Sequence, residues 1–475
     1  MIDRSLLGLG PLPAPPSAAL PLQEQVYQRI REAIADGRLA PGARLPSTRS
    51  LAAQLSVARG TVDAAYGRLA GEGYVVGRGA AGTVVAPGLV TAALTPPAAV
   101  APAYGPPDDF LWPFRGGLPA LDLFPRVLWT SLAASAARRL DASRLVYPDP
   151  RGLPELRAAI AAYLRVSRGI ACDPGQVFVT GGYQGALQQV IQLLLRPGDE
   201  VWFEDPGYRM ARRALQAAQL RPAFIPVDAA GLDVDDARRR HPAARLAIVT
   251  PGHQSPLGVP LALPRRQALL DWAGAADAWV LEDDYDSEFH YVGRKPPALK
   301  SIDRRDRVFY AGSFSKTLFP GLRLGYLVAP AAWVDAAAAT CELSARGQPA
   351  LEQAALAVFM AEGHYARHLR RMRLRYAERS AALTQALRGR FGTAIALTPP
   401  DGGLTLLARF PDGAPDTELV ARARAAGLAP AALSAHAVQH DIGHGLLLGF
   451  TNIAPDKAGE AALRLQRALD GRSDP

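Results

Sequence analysis

Residues Gly312–Tyr326 read "GSFSKTLFPGLRLGY", and the lysine inside this stretch decides what the larger part of the chain is. Lysine occurs only at 295, 300, 316 and 457, although Lys and Arg together number 53. A guanidinium is in effect never deprotonated, whereas an ammonium loses its proton when desolvated and can then attack a carbonyl carbon. An amine kept at position 316, between Ser315 and Thr317 and followed by Arg323, therefore points to amine chemistry if the rest of the chain supplies a pocket.

Outward from Lys316, strand and helix patterns alternate. "QVFVTGGYQGALQQVIQLLL", "DEVWFEDPGYRMARRALQAA", "ARLAIVTPGHQSPLG" and "AWVLEDDYDSEF" each begin on an apolar run of strand length. Such runs suit buried parallel strands with helices on both faces, an α/β architecture whose ligand sites lie beyond the carboxyl ends of the strands. The unusual residues cluster there. Gly182, Tyr183 and Gln184 stand at a helix N-terminus, which favours a phosphate. Tyr208 offers a flat stacking surface, and His253 and Gln254 offer hydrogen-bonding groups. Asp283 supplies a carboxylate with a phenol, Tyr285, two residues on; Ser313, Ser315, Lys316 and Arg323 add hydroxyls, an amine and a guanidinium. One molecule would use all of these: a phosphorylated pyridine aldehyde, pyridoxal 5′-phosphate. The acidic run around Asp283 could instead be a solvated face or a magnesium site, but its interleaving with Tyr285 and Phe289 favours a lined pocket. His364 and His368 have metal spacing without an acidic companion and read as surface histidines; no metal site is expected.

The first 86 residues read differently. "LQEQVYQRIREAIADG" puts Leu22, Val26, Ile30, Ala33 and Ile34 on one helical stripe. Ser47 is a candidate N-cap for a short helix carrying Leu51 and Leu55, and a third helix turns Val62, Tyr66 and Leu69 inward. "YVVGRGAAGTVVA" is a β-hairpin around glycines. Gly77, Gly79 and Gly82 satisfy the dinucleotide-binding spacing, but β-branched "TVV" follows where that fingerprint requires a helix. Two helices joined by a tight turn and then a hairpin make a winged helix-turn-helix. The resulting partition is an extension over 1–21, the winged helix over 22–86, a Pro/Ala-rich linker over 87–112 and the larger α/β domain over 113–475. The formal charge of +9 permits a nucleic-acid partner. Two cysteines without metal or disulfide spacing suit a reducing compartment. No targeting segment or membrane span is expected, so the sequence reads as cytoplasmic, at the nucleoid when on DNA.

"GRLAPGARLPSTRSLAAQLSVARGTVDAAYGRLAGEGYV" resembles the DNA-binding domain of GntR-type bacterial regulators. The resemblance implies contacts to double-stranded operator DNA from Arg44, Arg49, Arg59, Thr61 and Arg78. Nine arginines against six acidic residues over 1–90 leave only +3, so one copy would bind weakly and a homodimer is expected as the binding unit. "FRGGLPALDLFP", "YPDPRGLPELRAAIAAYL", "TPGHQSPLG", "EDDYDSEF" and "SFSKTLFPGLRLGY" are together similar to fold type I aminotransferases. The whole chain thus looks like a MocR-type transcriptional regulator, in which the two parts are fused. By that resemblance Lys316 forms a Schiff base with pyridoxal phosphate, Asp283 pairs with the pyridine nitrogen, Tyr285 reaches the ring hydroxyl and Tyr208 stacks. Ser313, Arg323, Tyr183 and Gln184 hold the phosphate, and Tyr147 reaches the partner subunit's phosphate. An asparagine usually faces the ring hydroxyl in these enzymes; here His253 or Gln254 must substitute, and the sequence does not say which. Aminotransferases of this fold also carry an arginine in a strand of the form "R-L-S-F" to clamp the substrate carboxylate. Leu447 of "GLLLGFTN" aligns with it, and no arginine occurs from Ala425 to Leu463. Without that clamp an amino acid loses orientation as well as affinity. The expectation is a regulator that senses pyridoxal phosphate or an amine reactive toward it, with a link to vitamin B6 supply, rather than a working transaminase.

Overall fold

A computed structural model describes residues 20–79, 82–89, 111–139, 146–293, 295–344, 346–398, 401–410 and 414–470. The chain divides into two units, Met1–Pro106 and Pro107–Pro475. The expected extension and linker lie almost wholly outside the described residues.

In the N-terminal unit the helical stripe folds as α1 (Leu22–Ala35), with Val26, Ile30, Ala33 and Ile34 buried. Leu22 departs from the expected stripe: as the first residue of the helix it stays 43% exposed. Ser47 caps α2 (Thr48–Leu55), its hydroxyl accepting from the Ser50 N–H at 3.1 Å. This satisfies one of the amides that a helix start leaves without a partner. The third helix, α3 (Arg59–Gly71), buries Val62, Tyr66 and Leu69, and the Tyr66 hydroxyl donates to the Pro46 carbonyl at 2.8 Å. Strands β1 (Val75–Gly77) and β2 (Thr83–Val85) pair antiparallel, so the glycine-rich segment is a wing.

The larger unit is built on an eight-stranded sheet. Its strands are β3 (Val177–Thr180), β4 (Glu200–Asp205), β5 (Arg221–Asp228), β6 (Gly231–Leu232), β7 (Leu246–Val249), β8 (Trp279–Asp284), β9 (Val308–Ser313) and β10 (Gly325–Val328), in the order β3-β10-β9-β8-β7-β4-β5-β6. The block β5-β4-β7-β8-β9 is parallel, as expected. The expectation fails at β10, which runs antiparallel to both β9 and β3. Its cause is the connection: a parallel return needs a crossover of a dozen or more residues, and Phe314–Leu324 is too short to make one. Side chains alternate between two helical layers. Val177 and Val179 pack with Leu156, Ile160 and Leu164, while Phe178 packs with Leu187 and Val190.

A second, antiparallel sheet follows from β11 (Ala396–Thr398), β12 (Thr405–Arg409), β13 (Ala431–Ala432) and β14 (Leu446–Gly449), in the order β11-β12-β14-β13. The segment at Phe114 bridges to Gly449 of β14, so the first residues of the larger unit are tied to the last sheet.

Candidate cofactor pocket and nucleic-acid interface

The short connection that forces β10 back also carries Lys316. Its Nζ donates to the Gly117 carbonyl at 2.7 Å. Gly117 has φ +74°, and a Cβ there would stand 2.6 Å from the amine, so only glycine leaves the lysine its place. Burial pushes the Lys316 amine below its ordinary value; Asp286 and Asp283 work against this and Arg115 works with it.

The carboxylates come from β8, where alternation sends neighbours to opposite faces. Asp284 turns away to a buried ion pair with Arg168 at 2.6 Å and accepts from the Tyr310 hydroxyl. Asp283 is buried on the other face, where burial first, then Asp284, Glu204 and Asp286, hold its carboxyl well above the usual range. A cation placed against it would relieve that cost. The Tyr183 phenol is buried beside Asp283 and interacts with it electrostatically, without a hydrogen bond of good geometry. Its ring meets Tyr208 edge-on, with centroids 6.1 Å apart. Tyr183 therefore departs from its expected place at a phosphate: its side chain belongs to the carboxylate end of the pocket, and what it offers at the helix start is its backbone.

Register assembles the phosphate side. Gly325 of β10 pairs with Thr180 on one side and Ser313 on the other. This brings Ser313 beside the helix Tyr183–Leu194, whose N-cap is Gly182. The Ser313 hydroxyl accepts from the Ser315 N–H at 3.2 Å, and Arg323 Nη2 donates to the Gly181 carbonyl at 3.2 Å. A hydroxyl, a guanidinium and a helix N-terminus thus lie in neighbouring segments, a combination that suits an anion.

The structure separates His253 from Gln254. Gln254 is buried, with Nε2 donating to the Pro206 and Ser255 carbonyls at 2.8 and 2.9 Å and to Glu204 at 3.2 Å, and Oε1 accepting from the Leu257 N–H at 3.0 Å. Its amide is used up in closing its own loop. His253 Nδ1 instead lies 3.1 Å from both the Tyr285 hydroxyl and Asp286 Oδ2. Asp286 and Gly117 were missed by sequence reasoning; the only signal was that both lie inside runs already singled out. The surface reading of His368 also fails. It is buried in the helix His364–Phe391, with Nε2 3.0 Å from the carbonyl of Thr317, the residue after Lys316. Tyr147 is exposed and lies under the Arg346 guanidinium, 5.2 Å from its ring.

Pyridoxal phosphate fits these residues on grounds independent of its expectation. The Tyr183 hydroxyl and Gln184 Nε2 are buried without hydrogen-bond partners, a cost that a polar group in the pocket would remove. A desolvated amine, a buried carboxyl and an anion site are the three chemistries the molecule demands.

In the N-terminal unit, Arg49 is exposed on α2, Arg59 starts α3 one turn from Asp63 (3.4 Å), and Arg78 is exposed in the wing. Thr61 is half-buried in the first turn of α3, and Arg44 bridges to Val84, its guanidinium against Gly82. Among the described residues no cluster could hold a metal ion, and no helix is long and apolar enough to cross a membrane.

Residues 22–85 match the family described as bacterial regulatory proteins, gntR family, and residues 125–430 match aminotransferase class I and II. The chain is 37% identical over 467 residues to a probable rhizopine catabolism regulatory protein MocR of Rhizobium meliloti, covering 95% of this chain and 94% of that one. It is 33% identical to the pyridoxine biosynthesis transcriptional regulator PdxR of Corynebacterium glutamicum, covering 93% and 94%. Among solved structures, a Pyrococcus horikoshii kynurenine aminotransferase superposes with a TM-score of 0.69 at 26% identity, covering 76% of this chain and 91% of the other.

Proposed function

We propose, since the chain belongs to the MocR-type regulators of the GntR family, that pyridoxal phosphate bound in the larger unit governs how the winged helix occupies operator DNA. When bound, the cofactor supplies an aldehyde that amines capture and a pyridine ring that withdraws electrons. Lys316, desolvated and drawn below its ordinary pKa, supplies the capturing amine. Asp283 would hold the ring nitrogen, Tyr208 would stack on the ring, and Ser313, Arg323 and the helix start at Gly182 would hold the phosphate. Arg59 and Thr61 at the start of α3 enter the major groove, while Arg44, Arg49 and Arg78 hold DNA backbone. A homodimer doubles these contacts, and the exposed Tyr147 serves the partner's pocket.

One observation carries the regulatory reading over the enzymatic one. Leu447, at the position of the carboxylate clamp, is buried in an apolar cluster with Leu407 and Leu433, against Leu257 and Ile442. A carboxylate brought there would be desolvated without a partner. This supports pyridoxal phosphate itself as the signal, with control of vitamin B6 supply as the outcome, and it disfavours turnover of ordinary amino acids. Operator titrations with cofactor-free protein, cofactor-loaded protein and loaded protein plus a panel of amines test this. Pyridoxal phosphate alone should change operator affinity or footprint, because a ligand shifts an equilibrium by its differential affinity for two states. A response only to an added amine would move the signal to that amine, and rapid keto-acid formation from a common amino acid would establish an enzyme.

A further inference from the structure

We propose that Asp286 and His253 act together as positioning residues that aim the hydroxyl proton of Tyr285 into the pocket. The inference rests on the reading that pyridoxal phosphate lies beside Tyr285.

Its basis is the direction of each hydrogen bond. An ionised carboxylate accepts and does not donate, so the 3.1 Å contact between Asp286 Oδ2 and His253 Nδ1 requires the proton on Nδ1. An Nδ1 that carries a hydrogen cannot accept one from the phenol. At the 3.1 Å contact with Tyr285 the phenol oxygen is therefore the acceptor. The single Nδ1 hydrogen is thus shared between Asp286 Oδ2 and the phenol oxygen. The phenol must send its own hydrogen elsewhere, and the pocket is where a ring oxygen would receive it.

The packing holds this arrangement. Asp286 is 2% exposed, and His253 is half-buried by residue but only 15% exposed in its side chain. Gly403, at φ +77°, closes over the pair: a Cβ there would stand 2.2 Å from His253 Cε1 and 2.8 Å from Asp286 Oδ2. The titratable groups around the imidazole are Asp286, Tyr285, Asp401 and His290. Burial would push the imidazole down, but Asp286 and then Asp401 more than offset this and hold it above its ordinary value. Asp286 is also the first of the two carboxylates that act on the Lys316 amine, so the pair stands next to the chemistry.

A phenol that donates to the ring oxygen stabilises negative charge there, which lowers the pH at which the visible absorbance of the bound cofactor interconverts. The test is a pH titration of that band in the full-length, cofactor-loaded protein. His253→Leu, which removes the donor, should raise the midpoint by about one pH unit. In a Tyr285→Phe background the same His253→Leu change should move it little, because its action runs through the phenol. A shift of full size in that background would show that His253 acts only as a charge, and an unchanged midpoint in the single variant would equally overturn the proposal. If His253→Leu fails to retain the cofactor, His253→Ala against His253→Ala/Tyr285→Phe decides in the same way. A wild-type protein with no visible band at any pH overturns the cofactor reading, and this proposal with it.

Discussion

His368 makes the larger unit acid-sensitive by a calculable amount. Its Nε2 is held to the Thr317 carbonyl, which only accepts, so that nitrogen carries a proton. Nδ1 is buried without a hydrogen-bond partner, and Phe124 lies edge-on to the ring with centroids 6.1 Å apart. Burial pushes the imidazole down to about 4 from the ordinary 6.5. The unfolded chain therefore binds a proton below pH 6.5 that the folded one refuses until about pH 4. Stability from the neutral ring is fully present above pH 6.5 and is lost as pH falls through the interval to about 4. At about 1.4 kcal/mol per pH unit, the loss is about 2 kcal/mol by pH 5 and about 3 kcal/mol at completion. His368→Gln keeps an N–H for the Thr317 carbonyl and removes the titration. All six tryptophans lie in Pro107–Pro475, so their fluorescence during urea unfolding reports this unit alone. The stability difference between wild type and His368→Gln should change by about 2 kcal/mol between about pH 7.5 and about pH 5, in favour of the variant at the lower pH. Glu204 and Glu282, both pushed up to about 7 by burial, stabilise the fold as pH falls, but they are common to both proteins and cancel in the difference. Parallel pH profiles for the two proteins would refute the reasoning.

Borohydride reduction of the loaded protein followed by peptide mass analysis should label Lys316 and no other lysine, and Lys316→Ala should leave at most loosely held cofactor; label on Lys295 or Lys300 would displace the pocket assignment. Gly117→Ala should slow or abolish the same labelling while unfolding cooperatively, because its Cβ would stand 2.6 Å from the amine. Arg59→Ala should relax operator sequence preference, with about 1–3 kcal/mol less discrimination at one base pair. Arg78→Ala should weaken all sequences alike and flatten the salt dependence by about one. Binding assays on operator and scrambled DNA across a salt series separate the two.

What was legible in the sequence was local or chemical. The stripe of Val26, Ile30 and Ile34, the Ser47 cap and the hairpin after Tyr74 each depend on residues close along the chain, so periodicity and capping chemistry sufficed. Lys316, Asp283 and Arg323 were legible because an amine, a carboxylate and a guanidinium in those runs have few other uses. The tertiary structure decided which groups meet. Gly117 reaches Lys316 from 199 positions away, and Gly403, in the turn before β12, closes over His253 from 150 positions away. Nothing near His253 or Gln254 in the chain distinguishes them; they part because one side chain faces Glu204 and Pro206 while the other faces Tyr285 and Asp286. His368 reads as a surface residue on an arginine-rich helix until that helix is laid under the Lys316 loop. Sequence carries backbone preference and side-chain chemistry, both short-ranged. Burial, and with it the proton affinity of Lys316, Asp283 and His368, is set by what the rest of the chain packs against them.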